Sequence, residues 1–152
     1  MNNLILICTN NANTGKTTAL WHVYRLLKQK YKVVHPECPP IDDAPTDVRV
    51  VFDVGGKRVG IETMGDNIKA DDHRKSIWGL VQELNCDVVI TASRMRNETR
   101  CNVEEFIDEF GYDAVWMSHD FTHIDRLRST LNLRYAQRVV QYVEEWLIGV
   151  YS

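Results

Sequence analysis

Leu4 to Thr9 form a short, nearly unbroken apolar run that closes on polar residues, the pattern of a central strand buried on both faces. From Lys16 to Lys30 the period changes. Leu20, Val23, Leu26 and Leu27 recur at three- and four-residue steps, leaving Arg25, Lys28 and Lys30 for an outer face or a last turn, which predicts a helix. All four prolines then fall between His35 and Pro45, together with Asp42 and Asp43, so this stretch reads as a surface loop, either a binding lid or a plain connection. Asp47 to Thr63 predicts a β-hairpin turning at Gly55-Gly56, where tight hairpins need positive φ. Setting Val54 opposite Lys57 brings Asp53 to Arg58, Phe52 to Val59, Val50 to Ile61 and Arg49 to Glu62, so charges and apolar groups match in one register.

Beyond Met64-Gly65-Asp66, the spacing of Ile77, Leu80, Val81 and Leu84 predicts a helix over Asp72 to Leu84. Asp87 to Ala92 is a second buried strand, and Ser93 to Arg100 a polar, arginine-rich loop. Asn102, with Glu105 three residues on, looks like the cap of a helix ending at Gly111. Asp113 to Ser118 makes the last strand. From Thr122 to about Val150 one stripe carries Ile124, Leu127, Leu131, Tyr135, Val139, Val143 and Leu147, interleaved with Arg126, Arg128, Arg134 and Arg138, the mark of a long amphipathic helix lying across the sheet. Strands alternating with helices imply an α/β fold with a mainly parallel sheet, one hairpin over residues 47–63 and a long C-terminal helix. Ligands of such sheets sit beyond the carboxyl ends of the strands.

A length of 152 residues fits one domain, here taken as 1–152. A net charge of -3 argues against a nucleic-acid-binding face. Cys8, Cys38, Cys86 and Cys101 are widely spaced and read as free thiols. Neither His35/Cys38 nor His119/His123 has a second pair at zinc-like spacing. The opening Met-Asn-Asn-Leu-Ile-Leu-Ile has no basic lead, and its apolar run falls far short of the roughly 18 residues that span a bilayer, so the expected location is the cytoplasm with no membrane partner. Homo-oligomerisation is left open.

Between the first strand and the first helix stands Asn10-Asn11-Ala12-Asn13-Thr14-Gly15-Lys16-Thr17-Thr18. It resembles the Walker A motif of P-loop NTPases, with Gly15, Lys16 and Thr17 in the family's positions and Asn10 replacing the leading glycine. Asparagine tolerates the left-handed conformation that this glycine supplies better than most residues do. The resemblance implies a three-layer P-loop NTPase fold that binds a nucleoside triphosphate, with ATP and Mg²⁺ as cofactors. Backbone N–H groups of Asn11, Ala12, Asn13, Thr14 and Gly15 would wrap the phosphates at the helix's positive end. Lys16 would bridge the β- and γ-phosphates, the Thr17 hydroxyl would ligate Mg²⁺, and Thr18 would complete the binding segment. The rival reading is an ordinary strand-to-helix turn in which Thr14 caps the helix.

Such proteins add an acid at the end of a neighbouring strand to orient the waters of Mg²⁺. Asp66 and Glu62 are the preferred candidates. Asp53, in Asp53-Val54-Gly55-Gly56, resembles an acidic DxxG element, but the hairpin accounts for it through Arg58. Arg94 and Arg96 look like arginines of a small-kinase lid, where the planar guanidinium stabilises charge on a transferred phosphoryl group; Arg100 has Glu104 as a surface partner instead. With the segments Gly60 to Asp66 and Asp87 to Thr99, the phosphate loop makes the chain similar to small, functionally undefined kinase-like P-loop proteins of bacteria and phages. The function expected from this is phosphotransfer from ATP to a small, unidentified acceptor, a nucleoside or nucleotide being the natural guess. Two alternatives are a nucleotide-dependent switch or slow ATPase acting through a protein partner, and a degenerate domain kept for interaction alone. Thr91-Ala92-Ser93-Arg94, where an Asn-Lys-x-Asp guanine reader would stand, argues against a GTPase.

Overall fold

The computed structural model of the chain describes residues 3–10, 16–36, 48–63, 77–94, 98–118, 122 and 124–148. Six strands form one sheet: β1 (Leu4–Asn10), β2 (Lys32–His35), β3 (Arg49–Val54), β4 (Lys57–Glu62), β5 (Val88–Arg94) and β6 (Asp113–Ser118), in the spatial order β2-β3-β4-β5-β1-β6. The helices are α1 (Lys16–Lys30), α2 (residues 77–82), α3 (Glu98–Phe110) and α4 (Asp125–Leu147). The pairs β4–β5, β5–β1 and β1–β6 are parallel, whereas β2–β3 and β3–β4 are antiparallel, so the sheet is mixed.

Successive residues of a strand face opposite sides, and the two sides here are covered by different helices. Leu4, Leu6 and Cys8 of β1 point to the face where α1 brings Leu20, Tyr24 and Leu27 and α4 brings Tyr135, Val139 and Val143. Ile5 and Ile7 point to the other, where Ile77 and Leu80 of α2 and Val103 and Phe106 of α3 close the core. Asn85 supplies the left-handed residue (φ 54°) that ends α2, and Cys86 N–H reaches back to Leu80 O at 2.9 Å. Cys8 and Cys86 are buried and Cys101 exposed, and none of the three is in a disulfide. Burial is the largest influence on Cys86 and pushes its thiol up to about 12, so it packs as a small hydrophobe and does not react. Among the described residues no helix is long and apolar enough to cross a membrane.

The hairpin has the register that side-chain matching gave, from Arg49↔Glu62 to Val54↔Lys57. Thr63 closes its open end, where Val48 N–H donates to Thr63 Oγ1 at 2.8 Å. Gly60, on β4, lies under the turn that follows α2. A Cβ there would sit 2.8 Å from Cys86 Sγ and 3.1 Å from Leu80 Cδ2. Gly60→Ala is therefore expected to lower stability by about 1–3 kcal/mol through overpacking, read as a lower urea midpoint. An unchanged midpoint would mean that the turn yields without cost.

Four expectations need correction. The sheet gains an edge strand, β2, that the sequence reading passed over: Val33 pairs with Phe52 in a four-residue strand, too short to show a period. The sheet is thus less parallel than expected. α3 begins at Glu98, so Asn102 lies inside the helix and is not its N-cap, and the arginine-rich loop shrinks because Ser93 and Arg94 belong to β5 and Arg100 to α3. In α4 the buried residues run from Asn132 to Val143, while Ile124 and Leu127 are 48% and 44% exposed, so the start of the expected stripe adds no buried side chain to the core. The expected residues 72–76 of α2 lie outside the described residues, as does most of the proline-rich loop.

Candidate phosphate-binding site

The three neighbouring parallel strands β5, β1 and β6 end together. Asn10, the last residue of β1, is in register with Arg94, the last of β5; below them Thr9 is level with Ser93 on one side and Ser118 on the other. After five intervening residues α1 begins at Lys16. β1 therefore delivers the chain to the carboxyl edge of the sheet between two parallel neighbours, and α1 carries it back over one face, the right surroundings for an anion at a helix start. The first turn of α1 holds no acidic residue, and its last turn carries Lys28 and Lys30. The positive end of the helix dipole thus meets no carboxylate from α1's own first turn, while the negative end is compensated.

Of the candidate residues, Lys16 and Thr17 occupy the first two positions of α1, and Thr18 follows them half-buried. Arg94 ends β5, two Cα ladders from Ser118 and directly beside Asn10. Asn11, Ala12, Asn13, Thr14 and Gly15 lie outside the described residues, and so do Asp66 and Arg96. Arg100 belongs elsewhere: its Nε donates to Glu104 Oε1 at 3.1 Å, and its guanidinium lies 4.5 Å from the centre of the Trp116 ring.

The acids separate by position. Asp53 sits at the β3–β4 turn, where its Oδ1 accepts from Gly56 N–H at 2.9 Å. That turn is at the amino end of the parallel strands, since Arg58, opposite Asp53, donates its N–H to Asp87 just before β5. Asp53 is a hairpin residue at the wrong end of the sheet. Glu62 is the last residue of β4, level with Thr91 of β5 and through it with Ile7 of β1, so it stands at the carboxyl end, two strands from the loop. Its side chain has 0% exposure, and Arg49 Nε lies 3.5 Å from its Oε2. The cross-strand pair read from the hairpin register is therefore real. Gly79 of α2 makes room for it: a Cβ there would lie 2.7 Å from Arg49 Nη2.

Sequence reasoning missed the buried polar floor beneath this edge. Thr9, Glu62, Thr63, Thr91 and Ser93 are all at most 3% exposed. Thr91 and Glu62 share the sheet face of Ile7, and Thr9 and Ser93 continue it toward the edge. Thr91 Oγ1 is buried without a hydrogen-bond partner among the described residues, a cost of about 1–3 kcal/mol if nothing compensates it. The available signal was that both β1 and β5 turn from aliphatic to hydroxyl residues in their last positions, which strand periodicity alone treats as fraying.

No family model matches the chain, and no curated protein matches it. Among solved structures it is similar to the crystal structure of APE1195, with 14% identity over 92% of this chain and 76% of that one and a TM-score of 0.43. That likeness is too loose for any property of that protein to be transferred to this one.

Proposed function

We propose that this chain is a P-loop nucleoside triphosphate-binding protein that transfers the γ-phosphoryl group of Mg·ATP to a small acceptor. The observation that carries the reading is the sequence Gly15-Lys16-Thr17 at the step between the carboxyl end of a central parallel strand and the first residue of α1. Supporting it are the helix start free of acidic side chains and the polar floor of Thr9, Thr91, Ser93 and Glu62, which suits a hydrated, charged ligand and not an apolar one.

In this reading the amides of residues 11–15 cradle the phosphates, Lys16 neutralises the β- and γ-oxygens, and Thr17 supplies one oxygen to Mg²⁺. Bound Mg²⁺ contributes charge neutralisation of the triphosphate. Asp66 or Glu62 would orient its waters; Glu62 ends β4 at the carboxyl side of the sheet and shares its carboxylate with Arg49. Only residues 95–97 separate β5 from α3. In this reading Arg94 acts from the end of β5 and Arg96 from the link that follows it. The bond from the γ-phosphorus to the ADP oxygen would break as one to the acceptor oxygen forms, the acceptor hydroxyl's proton passing to water, and the arginines would offset charge on the equatorial oxygens.

Titration of Mg·ATP followed by thermal unfolding tests this. Saturation at 100-fold over Kd should add about 2.7 kcal/mol of stability, and Lys16→Ala should remove nearly all of it. Equal stabilisation of the variant would end the phosphate-loop reading. A coupled ADP-release assay over nucleosides and nucleotides then tests transfer; flat rates for every acceptor, with ATP bound, would rule it out.

A further inference from the structure

The two edges of the sheet are built differently. β2 is four residues long, starts with Lys32, shifts register between Val33 and His35 and runs into Pro36, all features that discourage a further strand. β6 is six residues long, holds an unbroken ladder from Leu4↔Asp113 to Thr9↔Ser118, and contains neither lysine, arginine nor proline. Among the described residues no strand pairs with its outer side. Beside it, on the α4 face, opens an apolar cavity of about 250 Å³ lined by Leu4, Leu6, Val115, Tyr142 and Trp146.

We propose that β6 and the outer face of α4 together dock a second copy of this chain about a two-fold axis. α4 runs antiparallel to β6: Tyr135 OH donates to Met117 O at 2.8 Å, while Tyr142 and Trp146, further along the helix, flank Val115, earlier in the strand. The outer face carries Arg138, Gln141, Tyr142 and Glu145, which line a second concavity of about 180 Å³. Their order is self-complementary. Reversing the helix about a point between Gln141 and Tyr142 sets Arg138 on Glu145 and Gln141 on Tyr142, twice over.

The same axis serves the strands, because Tyr142 and Val115 line one cavity and so stand at the same height. Two β6 strands pairing antiparallel near Val115 lie about 4.8 Å apart, and helices carried above them then meet at the usual separation of about 8–10 Å. One isologous two-fold satisfies both contacts and covers the apolar cavity. The unprotected edge and the mirrored charges point to this occupant without reference to the phosphate loop.

Sedimentation equilibrium of the whole chain tests it. The expected particle has twice the 17.6 kDa chain mass. Arg138→Glu alone and Glu145→Arg alone should each raise the dimer dissociation constant about tenfold or more by setting like charges together. The double variant Arg138→Glu/Glu145→Arg should restore it. This rescue separates a broken contact from a damaged fold. Val115→Lys should dissociate the dimer independently through the strand edge. A chain that stays monomeric overturns the proposal and leaves the groove to another occupant. A dimer that ignores both single charge changes, or a double variant as weak as the singles, overturns it equally.

Discussion

Phe106→Ala should cost about 4 kcal/mol of unfolding free energy, a large share of what a domain of this size holds in reserve. Phe106 is 0% exposed and sits at the centre of an aromatic group, with ring centroids 5.3 Å from Trp78, 5.0 Å from Phe110 and 5.1 Å from Tyr112. The rings meet edge-on or tilted, the arrangement that aromatic quadrupoles favour. They also tie different elements together. Trp78 of α2 donates to Glu109 of α3 at 2.5 Å, and the Tyr112 hydroxyl donates to Cys86 O. Truncation at Phe106 leaves a cavity between α2, α3 and the sheet, whereas Phe106→Leu should cost no more than about 1.5 kcal/mol, since it keeps most of the volume. Urea unfolding distinguishes the two. A loss under about 1 kcal/mol for Phe106→Ala would show that Trp78 and Phe110 collapse into the space and that the group is less rigidly packed than its geometry implies.

The elements that the sequence made legible are those with long patterns or internal cross-checks. The hairpin register followed from five residue pairs that matched in charge and polarity together, and the ladder Arg49↔Glu62 to Val54↔Lys57 repeats it. α1 and the buried half of α4 followed from helical spacing, because burial on one side leaves a stripe. β2 left no trace: Lys-Val-Val-His is too short for a period, and its pairing with β3 is a tertiary choice. The start of α3 was misplaced because Asn102 and Glu105 imitate a capping box from within the helix, while the true first residue, Glu98, stands among arginines that read as loop. Ile124 and Leu127 continue the α4 stripe on paper, yet both side chains are exposed, and burial in α4 starts only at Asn132.

For the candidate site, local order was readable and depth was not. That β1, a short connection and α1 follow one another is a one-dimensional fact. That Glu62 stands two strands from β1, because β5 lies between them, is a matter of strand order, which no run of residues encodes. The same insertion sets Arg94 beside Asn10 and places the hydroxyls of Thr91 and Ser93 in the floor. Polar residues at strand ends look unremarkable singly. They acquire meaning when three strands stop at one level.

Arg49→Met should destabilise the chain by about 2–3 kcal/mol, and by more than Glu62→Gln does. The asymmetry follows from exposure. Glu62 has 0% exposure and Arg49 32%, so the carboxylate stripped of its neighbouring cation remains buried, whereas the guanidinium stripped of its carboxylate can turn to water. The usual cost of breaking a buried pair, about 3–5 kcal/mol, is reduced here because Arg49 already keeps contact with solvent. The double variant Arg49→Met/Glu62→Gln should be more stable than the sum of the single losses implies, with a coupling of about 1–2 kcal/mol. Equal losses, or strict additivity, would mean that the two side chains are neighbours without being partners. Measured with and without Mg·ATP, the same variants also address which acid serves the nucleotide. If Glu62 orients the waters of Mg²⁺, Glu62→Gln lowers nucleotide-induced stabilisation while Arg49→Met preserves or strengthens it by releasing the carboxylate. If Asp66 does so, neither variant changes the stabilisation by nucleotide, and the Arg49–Glu62 pair is a fastener between β3 and β4 alone.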